Sequence, residues 1–176
     1  ESLLLRWAND PDVRSNSFSP ELIGIDTHSK WFKKKQKDRG CIIFIARDAY
    51  GCPLGQIRFE MKKSESDESE FYALIDISVD RCARGRGLGG AILEQGIRQM
   101  QERWKEMEYM CSKVLVKNIA SLNMFKKAGF AVKSYSAEAI NGRRMMYATL
   151  WGRSGNEGKG TSGSARMLMH KEAKNA

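Results

Sequence analysis

The chain has 176 residues and 41% of them are apolar, which fits one folded domain and excludes wholesale disorder. The longest uninterrupted apolar run, 41–46, is far shorter than the ~20 residues that span a bilayer, so no membrane partner is expected. Lys and Arg outnumber Asp and Glu by 30 to 21, which favours an anionic partner. Nucleic acid is not expected, because no zinc-finger spacing, RNP aromatic pair or helix-turn-helix signature accompanies the charge.

The first half of the chain predicts helices followed by strands. A helical pattern over 3–15 is interrupted at Asn9-Asp10-Pro11, where Asp10 can cap a new turn that starts at Pro11. A second helix is predicted over 26–37, with Trp31 and Phe32 on its buried side and the lysines 33–35 in water. Apolar runs then predict strands over 41–48, 54–61 and 70–80, the first two forming a hairpin.

The second half continues with a glycine cluster and a long helix from Leu88. An apolar stripe of period 3 to 4 marks that helix: Leu93, Ile97, Met100, Trp104 and Met107. A strand over 113–117 and a helix over 119–128, ended by Gly129, follow. The Asn141-Gly142 pair predicts a final hairpin with a type I′ turn. The order of these elements predicts an α/β (α+β) fold.

Residues 152–164, GRSGNEGKGTSGS, are rich in glycine and serine, a composition that does not bury enough surface to order itself. A folded domain is therefore predicted over 1–151 and a flexible tail over 152–176, in which 166–176 forms at most a short helix. The four cysteines show no metal or disulfide spacing, so no metal is expected. With no signal segment in view, reduced thiols and a cytoplasmic location are predicted. A start without Met favours a piece cut from a larger, fused protein.

The segment RCARGRGLGGAILEQG (81–96) places glycines between a strand and a long helix, where helix amides and the helix dipole favour a phosphate. It lacks the Lys-Ser or Lys-Thr pair of a Walker loop. The string Gly85, Gly87 and Gly90 also matches a dinucleotide motif, but no acidic residue ends the next strand. A simple tight turn is the remaining alternative.

Arg84, Gly87 and Gly89 form an R-x-x-G-x-G pattern, and VKNIASLNMFKKAGF (116–130) supplies a second one. Together with the order of elements over residues 3–150, they resemble the GNAT acetyltransferase superfamily. The resemblance implies a mixed, mostly antiparallel central sheet with helices on both faces. Family members begin with a strand that is missing here before the first helix.

The resemblance also implies acetyl-CoA as cosubstrate and a set of residues that bind it. The cofactor phosphates would lie against the loop that follows Arg84, and the pantetheine arm would pair with the backbone of the preceding strand. The implied cofactor-binding residues are Ile77, Ser78, Val79, Arg84, Gly85, Arg86, Gly87, Leu88, Gly89, Gly90, Asn118, Ser121 and Phe125.

Acetyl transfer to an amine requires a group that removes the amine proton. Asp76 is the first candidate, because it is an acid in an otherwise apolar strand beside the implied cofactor site; Glu60 and His28 are the next candidates. The family uses a Tyr to protonate the leaving thiolate, but Phe125 stands at the matching position. Water, Ser121 or Tyr147 could serve instead, or no acid is needed.

The acceptor is indicated by the pattern W-x-N-D-x-x-V-R followed by H-x-x-W-F, which resembles amino-sugar acetyltransferases of the pseudaminic-acid type and ribosomal-protein N-acetyltransferases. The implied acceptor-binding residues are Asn9, Arg14, His28 and Trp31. The preferred acceptor is a small-molecule amine, a nucleotide-linked 4-amino sugar, since Arg6 and Arg14 could meet its diphosphate while Trp7 and Trp31 stack on it or fill the core. A protein N-terminus is the rival acceptor, and a module that binds acetyl-CoA or nucleic acid without catalysis is the alternative from another class.

Overall fold

The computed structural model of the chain describes residues 1–64, 70–153 and 168–171. Its helices are α1 (Ser2–Ala8), α2 (Pro11–Ser15), α3 (Ile25–Lys37), α4 (Leu88–Arg103) and α5 (Ile119–Lys127), with a 3₁₀ turn at Arg81–Ala83. Its strands are β1 (Cys41–Arg47), β2 (Pro53–Lys63), β3 (Phe71–Val79), β4 (Tyr109–Leu115), β5 (Ala131–Ile140), β6 (Arg143–Arg153) and β7 (Leu168–Lys171).

The described strands form one sheet in the order β5-β6-β4-β3-β2-β1-β7. Every neighbouring pair is antiparallel except β3 and β4, which are parallel. The predicted mixed, mostly antiparallel sheet is confirmed. Since parallel neighbours need a long crossover, α4 lies between β3 and β4 in the chain and covers the sheet.

Helices cover both faces of the sheet, because alternate residues of each strand point to opposite sides. Phe44, Phe59 and Ile75 pack with α4 and α5 on one side. Ile43 and Ile45 pack with α1 and α3 on the other. Among the described helices, none combines the length and the hydrophobicity needed to span a bilayer.

Local sequence signals place several boundaries correctly. The Asp10 side chain accepts hydrogen bonds from the amides of Asp12 and Val13, and Pro11 opens α2, as predicted. Asn141 and Gly142 adopt positive φ angles of 49° and 74°, which confirms the type I′ turn. The apolar stripe predicted a helix as far as Met107, but α4 ends at Arg103. The Met107 side chain still packs in the core.

The C-terminal prediction differs from the structure in two respects. Strand β6 continues through Arg153, and residues 168–171 form a strand rather than a short helix. This strand, β7, pairs antiparallel with the outer edge of β1, and Met169 packs against the core. The remaining residues of the predicted tail lie outside the described residues.

Candidate active site

A gap between β3 and β4 is the central feature of the site. Strand β3 pairs with β2 along its whole length, from Phe71 to Val79, but with β4 only over Tyr72–Leu74. In the gap, the Ser112 hydroxyl donates to the Ile75 carbonyl at 3.3 Å. Beyond Leu74, the side of β3 that faces β4 is therefore open to an extended molecule, along the stretch that holds Ile77, Ser78 and Val79.

The glycine loop follows β3 at the open end of this gap. Gly85 and Gly87 have φ angles of 74° and 73°, which side chains rarely tolerate. Helix α4 begins at Leu88, so its first N–H groups have no partner within the helix and offer a partial positive charge. A Cβ at Gly90 would meet nothing within 4 Å, whereas at Gly89 it would approach the Met124 sulfur to 2.9 Å. Gly90 thus keeps the loop open, while Gly89 allows α4 and α5 to approach.

The side chain of Arg84 turns away from the loop amides. Its Nε donates to the Val79 carbonyl at 3.0 Å, and its Nη1 and Nη2 donate to Asp12 and Asp10, each at 2.7 Å. The resemblance implied that Arg84 belongs to the cofactor-binding residues; in the structure its side chain forms ion pairs with Asp10 and Asp12. Arg86 remains exposed.

The residues of the second motif support α5 more than they open toward a ligand. Asn118 accepts a hydrogen bond from the amide of Ser121 at 3.1 Å and so caps the helix. The Phe125 ring is 1% exposed and packs against Phe130 at 5.1 Å between ring centroids. The expected contact of Phe125 with the cofactor is not supported, because the apolar face of α5 places this ring in the core.

Asp76 occupies the position that the gap makes accessible. It is the first residue after Leu74 on the face opposite α4, and its side chain is 53% exposed. Gln56 donates to its carboxylate at 3.0 Å, and the Arg58 guanidinium lies 3.6 Å from it. Burial lowers the pKa of Arg14, whereas the carboxylates of Asp76 and Glu21 oppose that shift. Asp76 therefore belongs to a partly exposed polar cluster beside the open part of β3.

Glu60, the second candidate base, lies in an ion cluster. Lys35, Arg58 and Lys62 approach its carboxylate to 2.8, 3.0 and 3.1 Å. Burial alone would raise the pKa of Glu60, but these cations hold it below its ordinary value. A carboxylate so stabilised in its charged form is a poor proton acceptor. Lys35, predicted to face water, is instead mostly buried in this cluster.

His28, the third candidate, is a buried residue of the α3 interface. It stacks on Phe32 and contacts Trp31, and burial lowers its pKa. Trp31 in turn lies under the Arg58 guanidinium at 5.1 Å from the ring centre. Of these two residues, Trp31 is the one in contact with the polar cluster around Asp76, through Arg58.

The other residues expected to meet the acceptor are engaged in the fold. Asn9 exchanges two hydrogen bonds with the backbone of Ile23, and Trp7 is buried and donates to Asp80 at 2.6 Å. Arg6 pairs with the same Asp80 carboxylate. Arg14 donates to the carbonyls of Ser19 and Glu21 and to the Ser17 hydroxyl. The core interpretation of Trp7 is confirmed.

One wall of the site has no sequence signal of its own. The Phe18 ring meets the Tyr147 ring edge-on at 5.2 Å, and the Lys113 amine lies 5.2 Å from the centre of the Tyr147 ring. The Tyr147 hydroxyl donates to Glu138. Asn141 donates to Glu21 at 3.4 Å. Phe18 and Glu138 belong to no motif, so only the fold brings them together.

In the described residues, no group of three or more His, Cys, Asp or Glu could hold a metal ion. No curated protein matches the chain by sequence. The solved structures that share its fold include several N-acetyltransferases. The spermidine N-acetyltransferase of Vibrio cholerae in complex with CoA and spermine has a TM-score of 0.73 at 17% identity, covering 86% of this chain and 88% of that one.

The ribosomal-protein-alanine N-acetyltransferase of Brucella melitensis has a TM-score of 0.69 at 19% identity, covering 87% of this chain and 93% of that one. An N-acetyltransferase of Staphylococcus aureus Mu50 has a TM-score of 0.68 at 20% identity, covering 86% and 92%. A family model described as the acetyltransferase (GNAT) family matches residues 4–130. The chain belongs to this acetyltransferase family, and acetyl-CoA is its cosubstrate.

Proposed function

We propose that the chain transfers acetyl from acetyl-CoA to a small primary amine, with Asp76 accepting the amine proton. The observation that carries this proposal is the position of Asp76, half-exposed and immediately past the point where β3 and β4 separate. An amine bound beside Asp76 loses its proton to the carboxylate, directly or through water. Its nitrogen bonds to the acetyl carbon while the carbon–sulfur bond breaks and CoA leaves as a thiolate.

The glycine loop and the open side of β3 supply the two binding requirements of the cosubstrate. Amides between Gly85 and Gly90, at the N-terminus of the 16-residue helix α4, suit the diphosphate. The backbone from Ile77 to Val79 is available to the extended pantetheine arm. This division of roles makes main-chain groups, and not side chains, responsible for holding acetyl-CoA.

The leaving thiolate requires no dedicated acid in this proposal. Phe125 is buried and has no proton to donate, and the Tyr147 hydroxyl proton is directed at Glu138. A free thiol has a pKa of about 8.5, so a thiolate leaves readily near neutral pH. Water at the open site then protonates it.

The groups around the acceptor wall, which is formed by Phe18 and Tyr147, support a small amine more than a nucleotide sugar. The cations expected to meet a diphosphate, Arg6 and Arg14, are bound to Asp80 and to loop carbonyls, and Trp7 is buried. Glu138 accepts from the Tyr147 hydroxyl beside Phe18, and Arg14 interacts with the carboxylates of Asp76 and Glu21. Acidic and aromatic groups of this kind suit a cationic amine before it is deprotonated. A nucleotide-linked 4-amino sugar and a protein N-terminus stay in the test because the sequence pattern resembles enzymes of those classes.

The test is thiol release from acetyl-CoA in the presence of three acceptors: spermidine, a UDP-linked 4-amino sugar and a peptide with N-terminal alanine. We expect release with at least one amine. Asp76→Asn is expected to lower kcat by about 10²- to 10³-fold without changing the Kd of acetyl-CoA. Asp26→Asn, at an exposed acid in the first turn of α3, is the matched control. Normal turnover in Asp76→Asn would eliminate Asp76 as the base, and no release with any amine would contradict the proposed function.

A further inference from the structure

We infer that Arg84 is a positioning residue that ties the acceptor side of the site to the glycine loop. The inference rests on the proposed function, because it assigns the loop to the cofactor and the 14–21 region to the acceptor. Arg84 opens the R-x-x-G-x-G motif, yet its guanidinium is held by two carboxylates of α2, more than 70 positions away in the chain. Cofactor binding at the loop would thereby be sensed by the acceptor wall.

The contacts at the loop end of this connection are short and specific. All three nitrogens of the Arg84 side chain donate: Nε to Val79 at 3.0 Å, Nη1 to Asp12 and Nη2 to Asp10 at 2.7 Å. Asp10 is mostly buried and also caps α2. Burial would raise the pKa of Asp10, but the Arg84 side chain and the helix amides more than offset this and lower it. The pair is therefore ionised and held in one geometry.

A second connection joins the segment between β3 and the loop to α1. The Asp80 carboxylate, at the end of β3, accepts from the Trp7 indole at 2.6 Å and pairs with Arg6. Asp80 and Arg84, which both precede the loop, are thus fastened to the first two helices. A rigid-body shift of the loop would move those helices with it.

Helix α2 transmits this attachment over five residues. Asp10 and Asp12 lie at its start, and Arg14, near its end, interacts electrostatically with Asp76 and Glu21. Arg14 also fixes the segment that carries Ser17, Ser19 and Glu21. That segment contains Phe18, which packs on Tyr147. The path from loop to acceptor wall is thus continuous.

The alternative is that Arg84 binds a cofactor phosphate. To do so it would leave two carboxylates, one of them mostly buried, and that exchange is unfavourable because the buried charge would lose its partner. Arg86, two residues further on, is exposed and better placed to meet an anion approaching from solvent. The geometry therefore favours positioning over phosphate binding.

The experiment measures amide hydrogen exchange with and without CoA, which requires no acceptor. In the wild type, CoA is expected to slow exchange both in the loop, 85–90, and in the segment 11–21. In Arg84→Gln and in Asp12→Asn, the loop should remain protected, while the CoA-dependent protection of 11–21 falls by about fivefold or more. The two ion pairs of Arg84, with Asp10 and Asp12, form a clamp. Asp12→Asn removes only its exposed half and leaves the cap at Asp10 intact, so this variant tests the inference even if Arg84→Gln does not fold.

Arg98→Gln serves as the matched control, because Arg98 forms an exposed pair with Glu94 on α4 and touches neither region. The inference is overturned if 11–21 stays fully protected in both clamp variants. It is also overturned if Arg84→Gln loses loop protection and CoA affinity, which would make Arg84 a phosphate ligand. Failure of every amine in the thiol assay would instead refute the proposed function and leave this exchange pattern readable.

Discussion

Replacing Gly87 by Asp tests the assignment of the phosphates to the loop. Gly87 has a φ of 73° and precedes α4, and a Cβ there would meet nothing within 4 Å. The new side chain therefore clashes with no protein atom and projects into the space where an anion would bind. Asn is nearly identical in shape to Asp and tolerates positive φ, so Gly87→Asn carries the same backbone strain without the charge.

The expected difference between the two variants follows from Coulomb's law. One carboxylate charge about 6 Å from each of two phosphate charges, at an effective dielectric constant of about 40, costs roughly 3 kcal/mol. This corresponds to about a 100-fold weaker Kd. The carboxylate also satisfies the free amides of α4 itself, which adds to the loss.

The assay is calorimetric titration of each variant with CoA at low ionic strength, repeated at higher salt. Gly87→Asn is expected to bind within about tenfold of the wild type, and Gly87→Asp about 100-fold more weakly than Gly87→Asn. Added salt should narrow the difference, since it screens exposed charges. Equal affinity for the two variants would refute the placement of the diphosphate at the loop.

Three further predictions concern stability and reactivity. Gly96→Ala should lower the free energy of unfolding by about 1–2 kcal/mol in a urea titration, because its Cβ would lie 2.7 Å from the buried Ile57 and this clash outweighs the gain in helix propensity. Gly90→Ala, whose Cβ would meet nothing within 4 Å, should not lower it. An equal effect of the two substitutions would contradict the close packing of α4 on β2. The hydrogen bond from Trp7 lowers the pKa of Asp80, so its contribution is present above the ordinary carboxyl pKa and is lost as pH falls through the lowered one. Between about pH 5 and pH 2, the melting temperature should therefore fall more steeply with decreasing pH in the wild type than in Asp80→Asn. Parallel curves of melting temperature against pH would contradict this. Burial raises the pKa of the Cys41 and Cys111 thiols to about 11, so a disulfide reagent at pH 8 should modify them slowly and the exposed Cys52 and Cys82 fast. Mass spectrometry of the labelled peptides would measure the four rates, and equal rates would contradict the prediction.

The fold was predictable wherever one local signal dominated. Apolar runs marked β1 and β3, and Asn141-Gly142 marked its turn, because these signals depend on neighbouring residues alone. The strand predicted over 113–117 began too late, because β4 starts at Tyr109. The early part of β4 depends on pairing with Tyr72 of β3 and Trp151 of β6. Strand β7 depends on an edge that only the assembled sheet creates.

The candidate site was predictable as a position but not as a set of contacts. The glycine spacing located the loop, and an acid in an apolar strand located Asp76. The partners of Arg84 lie more than 70 residues away, so no spacing rule could supply them. Glu60 and Asp76 are both acids on neighbouring strands, but Glu60 is mostly buried among three cations, whereas Asp76 is half-exposed. Sequence alone lacks that discrimination because pKa depends on burial and on charges brought near by folding.

The pairing of β7 with β1 bears on how the protein can be handled. Cleavage or deletion after Arg153 would strip the outer hydrogen-bonding row of β1, a strand whose residues from Ile42 to Ala46 are all buried. Uncovered rows of this kind recruit strands from other molecules. A protein truncated after Arg153 would thus expose the edge of β1 and be prone to aggregation through it. Purification tags are better attached beyond Lys171 than substituted for the last residues.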